Sequence, residues 1–130
     1  MIYLDANFFV FINLFDTKGQ KAREILEQVT KGTSAMTSAL TLDEVMWVLM
    51  KKNLKHEMRK IIEDIYATPN LEVKEVSPLI PLRALDLMES HSLKPRDAFH
   101  LAVMEYFNIK EIVTDDNDFD NIPGIKRIKL

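Results

Sequence analysis

The chain has 130 residues, 47% hydrophobic and 28% charged, which suits one ordinary globular domain, residues 1–130, able to bury a core without staples. It has no cysteine, which excludes a disulfide scaffold and any thiolate zinc site. A net charge of −3 argues against holding nucleic acid by bulk electrostatics, so such a contact would have to run through local lysines and arginines and through bound cations.

In chain order, Ile2–Leu4 reads as a short buried strand opening the fold. It is preceded by no basic n-region and belongs to no apolar stretch of signal-peptide length. Ala6–Leu14 reads as a short helix, and Lys18-Gly19 as a break. Gln20–Thr30 has helical periodicity through Ala22, Ile25, Leu26 and Val29 and stops at Gly32. Ser34–Met36 is a second short strand. Thr41–Lys52 and Lys55–Tyr66 read as helices, the second stopped before Pro69. Leu71–Val76 alternates apolar and charged residues as a strand does. Pro78–Ser90 and Pro95–Phe107 are helical, with Pro95 suited to a first turn. Glu111–Val113 is a fourth strand and Ile125–Ile128 a fifth, at an edge.

The apolar block Met46–Met50 is expected to be mostly core, and so are Leu79, Ile80, Leu82, Leu85, Leu87 and Met88. No run approaches the ~20 apolar residues of a membrane span, so no membrane partner is expected and the cytoplasm is the expected compartment.

Strand–helix alternation implies a mostly parallel sheet of four or five strands with helices on both faces, and sites in such sheets form beyond the carboxyl ends of the strands. Four acids fall on that edge. Asp5 directly follows Ile2-Tyr3-Leu4, and Asp115 and Asp116 follow Ile112-Val113-Thr114. Glu44 lies in the first turn of the helix after the second strand, and Asp97 in the first turn of the helix leading to the fourth. At an effective dielectric of ~20, two charges ~4 Å apart repel by about 4 kcal/mol, so clustered carboxylates must take up protons or bind a cation. Oxygen ligands without His or Cys suit Mg²⁺ or Mn²⁺, and such sites serve phosphodiester hydrolysis.

Each acid also has a structural reading. Asp5 is a favourable helix cap, Thr41-x-x-Glu44 matches a capping box, and Asp97 complements a helix dipole. Asp116, Asp118 and Asp120 lack the glycine and closing glutamate of an EF-hand. Asn7 and Thr114 are candidates to orient carboxylates or water, and Lys94 and Arg96 to grip backbone phosphates. His100 is expected to pack or hydrogen-bond locally, and His56 and His91 to be solvated.

Taken together, Asp5-Ala6-Asn7, the segment Ser38 to Glu44, the segment Lys94 to Ala102 around Asp97, and the segment Ile112 to Phe119 resemble, in order and spacing, the acidic motifs of PIN-domain ribonucleases of the small VapC-like kind. The resemblance covers essentially the whole chain. It implies a three-layer α/β/α sandwich and Mg²⁺- or Mn²⁺-dependent endonucleolytic cleavage of RNA. It further implies metal ligation by Asp5, Glu44, Asp97 and Asp116, with Asp118 and Asp115 as auxiliaries. Homodimerisation and pairing with an antitoxin protein are also implied. An RNA-processing nuclease outside such a pair, or an inactive scaffold binding RNA or protein, are the competing readings.

Overall fold

The short apolar runs form five strands: β1 (Ile2–Leu4), β2 (Ala35–Ser38), β3 (Leu71–Lys74), β4 (Glu111–Thr114) and β5 (Lys126–Lys129). The computed structural model describes residues 1–130 throughout. The sheet order is β3-β2-β1-β4-β5, and every neighbouring pair is parallel. β1 and β2 are buried along their whole length because helices cover both faces.

Six helices supply that cover: α1 (Ala6–Phe11), α2 (Thr17–Thr30), α3 (Ala39–Lys51), α4 (Met58–Ala67), α5 (Ile80–His91) and α6 (Pro95–Tyr106). On one face, α1 to α4 send Phe8, Val29, Val45 and Ile65 against Leu4 and Val113. On the other, α5 and α6 bring Leu87, Leu101 and Met104 onto Tyr3, Met36 and Ile112. Each large apolar side chain removed from water here contributes roughly 1.5–3 kcal/mol. The result is the expected three-layer sandwich, with the upper strand count and no antiparallel strand.

Several local expectations are corrected. α1 ends at Phe11, and the chain turns through the residues up to Leu14. Lys18-Gly19 is no break: α2 begins at Thr17, capped by Asp16, whose side chain accepts from the Gly19 N–H at 2.8 Å. The cap of α3 is Ser38, which accepts from the Thr41 N–H, so Thr41 lies inside the helix and the capping-box reading of Glu44 fails. β2 is displaced towards Ser38, and β3 stops at Lys74. Lys55–Glu57 is a separate 3-10 turn, and a second one, Asn117–Asn121, follows β4 in a stretch that apolar periodicity could not flag.

Burial differs too. Leu79, Leu82 and Leu85 are exposed rather than core, as are Met46, Trp47 and Met50; of the two groups, Ile80, Leu87 and Leu49 are fully interior. Apolar periodicity marks a face that wants cover and does not say whether this chain provides it.

β1 occupies the middle of the sheet. The chain leaves it to one side for β2 and β3, then crosses through α5 and α6 to place β4 on its other side. Beyond the carboxyl ends of β1 and β4 the connections diverge, which opens a crevice.

Candidate metal and active site

Asp5, Ala6, Asn7, Glu44, Asp97 and Asp116 share a hollow of about 280 Å³ at that crevice. Each carboxylate is placed by a local rule. Asp5 follows β1 and caps α1, its Oδ1 accepting from the Ala6 N–H at 2.7 Å. Its other oxygen accepts from the Thr114 hydroxyl at 2.7 Å, a tie between the ends of β1 and β4. Capping and site-building are thus two uses of one carboxylate. Asn7 reinforces the tie: its Nδ2 donates to Thr114 Oγ1 at 3.2 Å, and its Oδ1 accepts from the Asp115 N–H at 3.3 Å.

Asp97 stands in the first turn of α6, where Lys94 precedes the helix and Pro95 opens it. Asp116 begins the turn after β4 and accepts from the Asp118 N–H at 2.9 Å. That turn is pinned from β5, because Arg127 holds Asp120 through two nitrogens at 2.6 and 2.9 Å. Oxygens of Asp97, Asp116 and Asp118 lie within 4.8 Å of one another, and so do polar atoms of Asp5, Glu44 and His100. Burial, and then the charges of Asp116, Asp118 and Asp5, push the Asp97 carboxyl up to about 7. A carboxyl so disfavoured as an anion has a proton or a cation as its natural companion. The donors facing the hollow are carboxylate oxygens, which fits a hard divalent ion such as Mg²⁺ or Mn²⁺.

Asp115 stands apart. Its carboxylate pairs with Lys18 at 2.5 Å, so of the two adjacent acids it is Asp116 that faces the hollow. Arg96 approaches Glu44 Oε1 at 3.6 Å. Together with Lys94, Leu40, Pro95 and Phe99 it also lines a neighbouring depression. Lys52, the residue that follows α3, also lines the acidic hollow.

The residue sequence reasoning undervalued is His100. It is 1% exposed, its Nε2 lies 2.6 Å from Glu44 Oε1 and 3.6 Å from Asp5 Oδ1, and its Nδ1 lies 2.7 Å from the Tyr3 hydroxyl. The available signal was its place three residues after Asp97, one helical turn on and so on the same face.

The family model described as PIN domain matches residues 2–125. A VapC ribonuclease of Mycobacterium bovis is 25% identical over 136 residues, spanning 98% of this chain and 99% of its own length. Among solved structures, the sarcin-ricin loop cleaving toxin VapC20 of Mycobacterium tuberculosis superposes with a TM-score of 0.76 at 18% identity, over 96% of this chain and 98% of that one. VapBC2 of Rickettsia felis, solved bound to a DNA fragment from its promoter, gives 0.75 at 20% identity, over 99% and 98%.

Proposed function

Since this chain belongs to the PIN domain family, we propose that it is a Mg²⁺- or Mn²⁺-dependent endoribonuclease and the toxin component of a VapBC-type pair. The observation that carries the reading is the meeting of Asp5, Glu44, Asp97 and Asp116 around one hollow, with Asp118 beside them.

Asp97, Asp116 and Asp118 form one wall of a divalent-ion site, and Asp5 and Glu44 the other. The bound ion supplies Lewis acidity and positive charge where water and the scissile phosphodiester meet. Thr114 and Asn7 hold Asp5 and the start of the β4 turn in register, which keeps the two walls at a fixed separation. Lys94, Arg96 and Lys52 are the cations beside the hollow and contact flanking phosphates of the RNA, so a net acidic protein still presents local positive charge to its substrate.

The experiment that tests this is a fluorogenic RNA assay with Mn²⁺, with Mg²⁺ and with excess EDTA. Cleavage is expected with either ion and none with EDTA. RNA binding without cleavage in the presence of metal would make the protein a scaffold, and metal-independent cleavage would remove the acid cluster from the chemistry.

Partners follow from what the monomer leaves uncovered. No helix is long and apolar enough to cross a membrane. Leu79, Leu82 and Leu85 lie three residues apart along one side of α5 and its entry, all exposed, Leu82 at 65%. We assign this stripe to a homodimer contact. Leu82→Glu is expected to convert a sedimenting dimer into a folded monomer whose circular-dichroism spectrum matches that of the wild type. A dimer that persists in that variant would place the contact elsewhere. Met46, Trp47 and Met50, exposed on α3, are assigned to an antitoxin, and the cytoplasm is the proposed compartment.

A further inference from the structure

Behind the hollow lies a chain of buried polar contacts that the acid-cluster chemistry does not use. It starts at Ser38 and Thr41, whose hydroxyls stand 3.0 and 3.1 Å from the Tyr3 hydroxyl, and passes through His100 to Glu44. Tyr3, Ser38, Thr41 and His100 are all buried, so each hydrogen bond is made inside the protein or not at all. Tyr3 comes from β1, Ser38 and Thr41 from the β2–α3 junction, and His100 from α6. The network therefore ties together three of the elements that carry the acids.

The direction of the bonds follows from the partners. His100 Nε2 faces only carboxylate oxygens, Glu44 Oε1 at 2.6 Å and Asp5 Oδ1 at 3.6 Å. It donates to them whether the ring is neutral or charged. In the neutral ring Nδ1 then accepts from Tyr3. Burial holds the Tyr3 hydroxyl above its ordinary pKa, so it keeps the proton it donates.

The 2.6 Å contact also decides between two roles. Two ligand atoms of one octahedral Mg²⁺-sized ion, each ~2.1 Å from it, stand about 3 Å apart. His100 Nε2 and Glu44 Oε1 are closer than that and share a hydrogen bond, so His100 is not a ligand in this arrangement.

We propose that His100 is a positioning residue: anchored by Tyr3, it clamps Glu44 Oε1 and leaves only Oε2 of that carboxylate to face the metal or a water beside it. Nothing in the four-acid motif requires this residue. The consequence for Glu44 is specific. With Oε1 committed to His100 and approached by Arg96 at 3.6 Å, Glu44 is held to one-oxygen or water-mediated ligation. Asp97, Asp116 and Asp118 carry more of the direct binding.

The inference rests on the metal-site reading of the hollow, and its test separates the two. Mn²⁺ binding is measured by calorimetry on the intact protein without RNA, for wild type, His100→Gln, His100→Asn and Tyr3→Phe, each checked by thermal melting. The Gln amide can donate from near the Nε2 position, whereas the Asn amide reaches only the Nδ1 position. His100→Asn is expected to bind Mn²⁺ about 10–100-fold more weakly, as removal of an orienting partner does, and His100→Gln to recover most of that loss. Tyr3→Phe is expected to fall between them. A purely structural role would make the Gln and Asn variants equal in affinity at equal melting temperature, which overturns the proposal. So does wild-type affinity in all three variants, or a wild type that binds no Mn²⁺. A wild type that binds Mn²⁺ with the predicted order of variants but cuts no RNA supports the clamp and removes the ribonuclease reading.

Discussion

Asp97→Asn is expected to lower metal-dependent RNA cleavage at least about 1000-fold, a loss of ~4 kcal/mol of transition-state stabilisation, while the metal-free protein becomes more stable. Both signs come from one property. Asp97 sits half-buried against Asp116, Asp118 and Asp5, and its carboxyl is raised from 3.8 to about 7. The folded protein therefore binds a proton there more tightly than the unfolded chain does. Stability from this group is present below pH ~4 and is lost as pH rises through ~7, because the ionised form is the disfavoured one in the fold. Without metal, the wild type should become less stable between pH 4 and 7, and the neutral amide of the variant should flatten that slope.

With metal the order reverses. A bound ion makes the anion welcome, and saturation at 100 times the dissociation constant adds about 2.7 kcal/mol to the wild type. Asparagine offers a neutral oxygen in place of a charge and forfeits most of that gain. Melting curves with and without Mn²⁺ across pH, together with RNA turnover, check each part. Retained metal-dependent turnover in the variant would show that the three-acid wall is not where the chemistry resides.

Gly19→Ala is expected to cost about 3 kcal/mol of stability, a fall in melting temperature of roughly 10 °C, although Gly19 lies inside a helix where alanine is ordinarily preferred. A Cβ at this position would stand 2.7 Å from the backbone carbonyl oxygen of Phe11 and closer still to that of Leu14. Neither atom belongs to a flexible side chain, so the start of α2 must move away from the end of α1. That corner is also fixed by Arg23, which donates to the carbonyls of Ile12 and Leu14 at 3.0 and 2.6 Å. Because Asp5 caps α1 and α1 carries Asn7, the displacement should reach the hollow and weaken Mn²⁺ binding as well. The neighbouring Gln20→Ala is the control, exposed and expected within about 0.5 kcal/mol of wild type. A Gly19→Ala protein as stable as that control would mean the α1–α2 corner yields easily.

These two residues mark what could be read from the chain alone. Asp97 announces itself: an acid just after Pro95, at a helix start, on the edge where parallel strands end. Asp5 is equally legible because it directly follows a short apolar run, and a strand's direction fixes which end its next residue occupies. After β4 the same rule leaves Asp115 and Asp116 side by side, and only the Lys18 pair sets Asp115 apart. Gly19 misleads because a glycine between Lys18 and Gln20 has the same appearance whether it interrupts a helix or lets another backbone pass close by. Only the position of Phe11 and Leu14 decides.

His100 is easily passed over for a related reason. A single histidine in an apolar helix reads as core, and its partners Tyr3 and Glu44 lie 97 and 56 residues away in sequence. Leu82 fails in the opposite sense, since its apolar character was plain and its exposure depended on there being no further element in this chain to cover α5.

The placement of β4 between β1 and β5 has a consequence for how the protein is made. Translation delivers Asp5 and Glu44 early, but the slot beside β1 stays open until Glu111–Thr114 has emerged from the ribosome, and Asp116 follows later still. A nascent chain halted before that strand lacks Asp116 and Asp118, two of the three acids of the wall opposite Asp5 and Glu44. For an enzyme that cuts RNA, activity is thereby withheld from any copy that has not yet gained Asp116, and the hazard arises only once both walls have been made.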